Sequence, residues 1–118
     1  MYTKLALTLA LIGLVSAGIP WQAEPRGDAW WKNRHQQLLN MTHQHAADVK
    51  VVFYGDSITE GWAGNGRKVW DKYYAPRHAY NYGIGGDRTE HLLWRLNNGE
   101  FDHVKPKLVV LKIGECFS

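Results

Sequence analysis

The 118-residue chain has one cysteine, Cys116, so no disulfide within it can staple the fold. Charge of one sign is also scarce in excess: 14 Lys and Arg stand against 11 Asp and Glu, a formal +3 with no basic stripe. That balance gives no footprint for nucleic acid. The longest apolar run, Leu5 to Val15, is too short to span a bilayer and is soon followed by Pro20 and polar residues, which argues against an integral membrane segment. A phosphate loop is missing, because Gly83-Ile84-Gly85-Gly86 is followed by Arg88 where Gly-x-Gly-x-x-Gly needs glycine, and no Gly-Lys-Ser/Thr ending occurs. His43-Gln44-His45 lacks a third ligand for a metal. Neither a metal nor a cofactor is expected.

What is present is a globular composition with 45% hydrophobic, 21% charged and 13% aromatic residues, enough for one modest domain. Six Trp and six Tyr read first as core and cleft packing. Residues 1–18 have the layout of a signal peptide: Lys4, the Leu5 to Val15 apolar run, then the small residues Ser16, Ala17 and Gly18. Cleavage after Ala17 or Gly18 removes one Lys and takes the formal charge from +3 to +2. The expected product is a secreted domain over residues 19–118, extracellular, or periplasmic in a bacterium. Asn40-Met41-Thr42 is a possible N-glycosylation acceptor if the source is eukaryotic.

After an aperiodic lead-in over Ile19 to Asp28, apolar residues recur at Trp30, Trp31, Leu38, Leu39 and Met41, a helical pattern that Asp28 is placed to cap. Val49 to Tyr54 is a β-branched and aromatic run, as suits a strand of a parallel sheet covered on both faces. A glycine-punctuated loop over Trp62 to Gly66 and a short helix over Arg67 to Tyr74, stopped by Pro76, lead to a second strand over Ala79 to Gly83. Arg88 to Asn98 is a second clear helix, with Leu92, Leu93 and Leu96 on one face and Gly99 closing it. A third strand covers Leu108 to Ile113. The order argues for parallel β-α-β-α-β with right-handed crossovers. Ligands sit outside the carboxyl ends of such strands, so Ser57, Gly85-Gly86 and Gly114 are expected at one rim.

Ser57 is the candidate nucleophile. It leaves a strand through Gly55, opens a helical turn at Ile58-Thr59-Glu60, and can offer its own N–H to an oxyanion. Gly85 and Gly86 offer a second unshielded N–H, and each donor to a developing oxyanion is worth roughly 3 kcal/mol. Asp56 is the turn-supporting carboxylate. Ser57 still needs a base, and none of His35, His43, His45, His78, His91 and His103 follows a strand end. All six read as surface or structural histidines. The competing reading is a non-catalytic module whose rim takes a carbohydrate or lipid headgroup near Trp62, Trp70 and Trp94.

Three segments carry a resemblance: Val51 to Glu60 around Gly55-Asp56-Ser57, Asn81 to Glu100 around Gly85-Gly86-Asp87-Arg88, and Pro106 to Gly114. Through them the chain resembles the GDSL or SGNH hydrolases, in the branch of the platelet-activating factor acetylhydrolase catalytic subunits and secreted bacterial relatives. The resemblance implies a flavodoxin-like three-layer α/β fold, here cut short after about three strands. It also implies a serine esterase that cleaves small acyl or acetyl esters, with Ser57 as nucleophile and oxyanion donor and Gly86 as a further donor. The family continues the third strand into Gly-Thr-Asn-Asn and supplies a catalytic Asp and His in a later Asp-x-x-His segment. Here Gly114 is followed by Glu115-Cys116-Phe117-Ser118, with Cys116 in place of the Asn, and a thiol cannot replace an amide donor. The expectation is a frameshifted, alternatively spliced or mispredicted end, with little or no turnover and an exposed apolar strand edge.

Overall fold

A computed structural model describes residues 18–114. Residues 1–17, which hold nearly all of the expected signal peptide, and Glu115 to Ser118, with Cys116, lie outside the described residues. Among those described, no helix is long and apolar enough to cross a membrane.

The elements follow the order α1 (Ala29–His45), β1 (Val51–Gly55), α2 (Ser57–Glu60), α3 (Arg67–Val69), β2 (Ala79–Gly83), α4 (Thr89–Asn97) and β3 (Leu108–Lys112). Between α2 and α3 lies a single tight turn of helix, Gly61–Ala63. Beyond α3 the expected short helix is broken into a wide turn over Trp70–Tyr74 and a tight one over Ala75–Arg77. Pro76 sits inside that last turn, which His78 ends in a left-handed conformation at φ 58°. The three strands form one parallel sheet in the order β2-β1-β3, with β1 in the centre.

Side chains alternate across the sheet. Val52 and Tyr54 of β1 and Tyr82 of β2 join Trp31, Leu38, Val49, Ile84 and Leu92 in the core. Each large side chain so buried stabilises by about 1.5–3 kcal/mol. Phe53 points the other way and meets Trp62, Trp70 and Tyr74, with ring centroids 6.3, 4.9 and 5.1 Å away. Helices thus cover one face of the β1–β2 half, and the turns between α2 and β2 cover the other.

Two local expectations change. Asp28 occupies the residue before α1, but its side chain makes no capping bond and instead accepts from Arg26 Nη2 at 2.8 Å. On α4, Leu92 is buried whereas Leu96 is 48% exposed, because the inward face also carries Glu90 and Arg95. Gly99 follows α4 at φ +94°, the left-handed closure its position suggested.

β3 differs from its neighbours. Leu108, Val109, Val110 and Leu111 are all exposed. Leu108 and Val110 flank an open groove of about 490 Å³ shared with Phe53, Ile58 and Trp62. Val109 and Leu111 flank another of about 320 Å³ on the opposite face, with Tyr54, Leu96 and Phe101.

Candidate active site

The register levels the carboxyl ends of the strands: Gly55 of β1 lies opposite both Gly83 of β2 and Lys112 of β3. Both glycines are required by close approach. A Cβ on Gly55 would stand 2.0 Å from the Lys112 carbonyl oxygen and 2.5 Å from Thr59 Oγ1. One on Gly83 would stand 2.3 Å from the Glu60 nitrogen. Without those side chains α2 lies directly across the strand ends, and Ser57 is its first residue.

Ser57 is exposed, and Asp56 beneath it is fully buried. The Asp56 Oδ1 accepts the Ile58 N–H at 3.0 Å, which shapes the entry to α2. Asn81 ties this turn to β2: its Nδ2 donates to the Thr59 carbonyl at 3.0 Å, and its Oδ1 accepts the Gly83 N–H at 2.8 Å.

The loop after β2 comes up beside Ser57. A Cβ on Gly85 would stand 3.7 Å from the Ser57 Cβ, so Gly85 faces the serine. Its N–H, however, donates to Glu60 Oε2 at 3.0 Å. Gly86 follows at φ +79°, a backbone state that favours glycine. Arg26, from the lead-in, braces the loop by donating to the Gly85 carbonyl at 2.8 Å and to Asp87 Oδ1 at 3.1 Å.

Below the rim is a buried ionic network that the sequence reading missed. Arg95 is 0% exposed, and its Nη1 donates to the Tyr82 carbonyl and to Glu100 Oε1, each at 2.8 Å. Its Nη2 reaches the Gly55 carbonyl at 3.3 Å, and its Nε lies 2.9 Å from Asp87 Oδ2 as an ion pair without hydrogen-bond alignment. Asp87 also accepts from Trp31 Nε1 at 2.7 Å. Burial raises the Asp87 pKa, while Arg95, Trp31 and Arg26 pull it back. Glu100 completes the chain of contacts, 2.5 Å from His35 Nδ1. One arginine therefore ties Gly55 of β1 and Tyr82 of β2 to Asp87, next to Gly85 and Gly86.

Several histidines are committed away from the rim. His35 pairs with Glu100, His45 packs on Tyr80, and His78 lies 2.8 Å from Asp48. The His91 Nδ1 accepts the Arg88 N–H at 2.9 Å at the start of α4. The tryptophans of the binding-module reading are not brought together: Trp62 and Trp70 pack around Phe53, whereas Trp94 packs with Trp31 and His35 on the opposite side of the sheet. Asn40 is exposed on α1, but Thr42 of its triplet is buried and bonded to Tyr82 Oη at 2.8 Å.

Comparison with known proteins matches residues 53–114 to the model of the GDSL-like Lipase/Acylhydrolase family. The matched span contains the turn at Ser57, the loop at Gly85-Gly86 and the whole Arg95 network apart from Arg26, Trp31 and His35. The chain is 42% identical over 94 residues to Platelet-activating factor acetylhydrolase IB subunit alpha1 of Rattus norvegicus, covering 75% of this chain and 37% of that protein. The Homo sapiens alpha1 subunit gives the same identity and coverage. The alpha2 subunit of Rattus norvegicus is 39% identical over 99 residues, covering 83% of this chain and 42% of that protein. The chain thus spans about two fifths of the length of these relatives.

Proposed function

Because the chain belongs to the GDSL-like Lipase/Acylhydrolase family, we propose that it carries the nucleophile-bearing part of a serine esterase for small acyl esters, acetyl esters among them. The observation that carries the reading is the juxtaposition of exposed Ser57, at the first residue of α2, with Gly85 and its neighbour Gly86 at the level ends of β1 and β2. The strand order β2-β1-β3 supports a flavodoxin-like arrangement, which begins 2-1-3 and binds ligands between the ends of its first and third strands. A groove along one face of the sheet, from Val51 and Leu108 at the strand starts, reaches Ile58 and Thr59 of the Ser57 turn.

In this reading Ser57 Oγ attacks the ester carbonyl carbon. Its proton passes to a base, the carbonyl oxygen becomes an oxyanion, and collapse expels the alcohol to leave an acyl-enzyme that water hydrolyses. The Ser57 and Gly86 N–H groups serve as oxyanion donors. Gly86 is better suited than Gly85, whose N–H is already given to Glu60. Asp56 acts through the backbone, holding the Ser57 turn by its bond to Ile58. The domain is exported after removal of its leader.

A chimera tests this. The 94 aligned residues of this chain would replace their counterparts in the human alpha1 subunit, and hydrolysis of a small acetyl ester would be measured beside labelling by a fluorophosphonate. The expected result is turnover and labelling that Ser57→Ala lowers by at least about 10³-fold. A folded chimera whose activity ignores Ser57→Ala would sink the assignment.

A further inference from the structure

Glu90, on the first turn of α4, is 2% exposed, and its Oε1 accepts no hydrogen bond. A buried carboxylate oxygen left in that state is costly unless a cation or donor meets it. The surrounding cations are used elsewhere. Arg26 is held by Asp28, Asp87 and the Gly85 carbonyl, and Arg95 by Asp87 and Glu100. His91 Nε2 is 3.9 Å from Glu90 Oε1, beyond hydrogen-bond reach. Burial lowers the His91 pKa, and its Nδ1 already accepts the Arg88 N–H, so the ring is neutral near pH 7 with its proton on Nε2.

One residue does come to this oxygen. Gly18 folds against α4 so closely that an added Cβ would stand 2.7 Å from Glu90 Oε1 and 3.2 Å from Glu24 Oε2. The Gly18 nitrogen and such a Cβ are about 2.5 Å apart on the same carbon, which places the nitrogen within about 5 Å of Oε1. The approach is anchored nearby, where the Glu24 N–H donates to the Glu90 carbonyl at 3.1 Å. The positive φ of +96° favours glycine at position 18, and the group of Gly18 able to become a cation is its backbone nitrogen. The residues before it, Val15-Ser16-Ala17, end the apolar leader run in the small-residue pattern of a cleavage site.

We propose that the Ala17–Gly18 bond is the processing site and that the Gly18 α-ammonium released there becomes the counter-ion of Glu90. Water adds across the amide: Ala17 leaves as a carboxylate, and Gly18 gains an amine that takes a proton at neutral pH. The uncut amide has one N–H, fixed in direction by the preceding peptide. Once cut, the same nitrogen has three and turns freely about its bond to Cα, on a residue whose Cα lies beside two carboxylates. A cut one bond later, after Gly18, discards the group. Export processing therefore completes the packing of the lead-in on α4, and this lead-in is the segment from which Arg26 braces the Gly85-Gly86 loop. The inference rests on the export reading and is independent of the chemistry assigned to Ser57.

The test is to export the full chain from a secreting host and read its N-terminus by intact mass and terminal sequencing. The reactivity of the α-amine towards reductive methylation would then be measured. The expected product starts at Gly18, and its amine reacts at least about tenfold more slowly in the native chain than in the same chain in guanidinium, the factor of one pKa unit. Glu90→Gln abolishes that protection. A chain made with Ala17 retained as its first residue keeps Glu90 but misplaces the amine, and melts about 5 °C lower. A start at any other residue, equal native and denatured reactivity, protection that survives Glu90→Gln, or equal melting with Ala17 retained would each overturn the proposal.

Discussion

β2 and β3 flank the same central strand, each pairs with it over five residues, and each is parallel to it, yet their surroundings are opposite. Tyr82 of β2 is 0% exposed, locked by Thr42 of α1 on one side and by Arg95 through its carbonyl. Leu111 of β3 is 60% exposed and borders an open groove. Strand formation and strand burial are therefore separate events in this molecule. Hydrogen bonding to β1 and β-branched residues suffice for the first, whereas the second needs helices above and below. The catalytic candidates sit on the covered side, and β3 comes nearest them where the Lys112 carbonyl backs Gly55 and where Val110 shares a groove with Ile58 and Thr59.

The sharpest way to break this contrast is at Arg95. Arg95→Leu takes from buried Asp87 and Glu100 the arginine they share, leaving Asp87 to Arg26 and Trp31 and Glu100 to His35, and is expected to cost about 3 kcal/mol, read as a lower midpoint in urea unfolding. An unchanged midpoint would mean that the network does not hold the β1–β2 half. Gly83→Ala comes next, at about 1–3 kcal/mol, since its methyl must push against the Glu60 and Thr59 backbone. Near-UV circular dichroism should show the Trp62–Phe53 cluster disturbed with it.

On the other side, Val109→Lys and Leu111→Lys should each change stability by less than about 0.5 kcal/mol while reducing self-association in sedimentation velocity. A loss of several kcal/mol would show β3 to be covered in solution. The smallest effect concerns His91. Burial lowers its pKa below the ordinary 6.5, opposed by Asp87 and Glu90 and reinforced by Arg26 and Arg88. As pH falls the unfolded chain takes the proton first, so this contribution is complete above the unfolded pKa and is lost progressively below it, towards the folded pKa. His91→Gln should flatten the fall in stability as pH drops below about 6.5, the ordinary histidine value.

The strands were legible because Val51 to Tyr54 and Leu108 to Leu111 are dense in β-branched and large apolar residues, and the rim followed from their shared direction. The closeness of Gly85 to Ser57 was legible only as topology. The Arg95 network was not legible at all: Arg95, Asp87 and Glu100 look like the charges of any solvated helix and loop, and only the fold turns them inward. Leu96 misled for the same reason, since a leucine at helical spacing reports a face without saying what covers it. Arg26 and Asn81 gave no local signal, because what each does is set by contacts to residues 59 and 22 positions away.

The central place of β1 also sets a clock on synthesis. β1 must wait for residue 79 to begin its first pairing and for residue 108 to begin its second. Between the last residue of β2 at 83 and the last of β3 at 112, 29 residues must be added, about 1.5–6 s at a ribosomal pace of roughly 5–20 residues per second. Throughout that interval the Val51 to Gly55 backbone is bonded along one edge only. During that interval the strand that leads to the serine offers an open edge to wrong pairing, which the arrival of β3 closes.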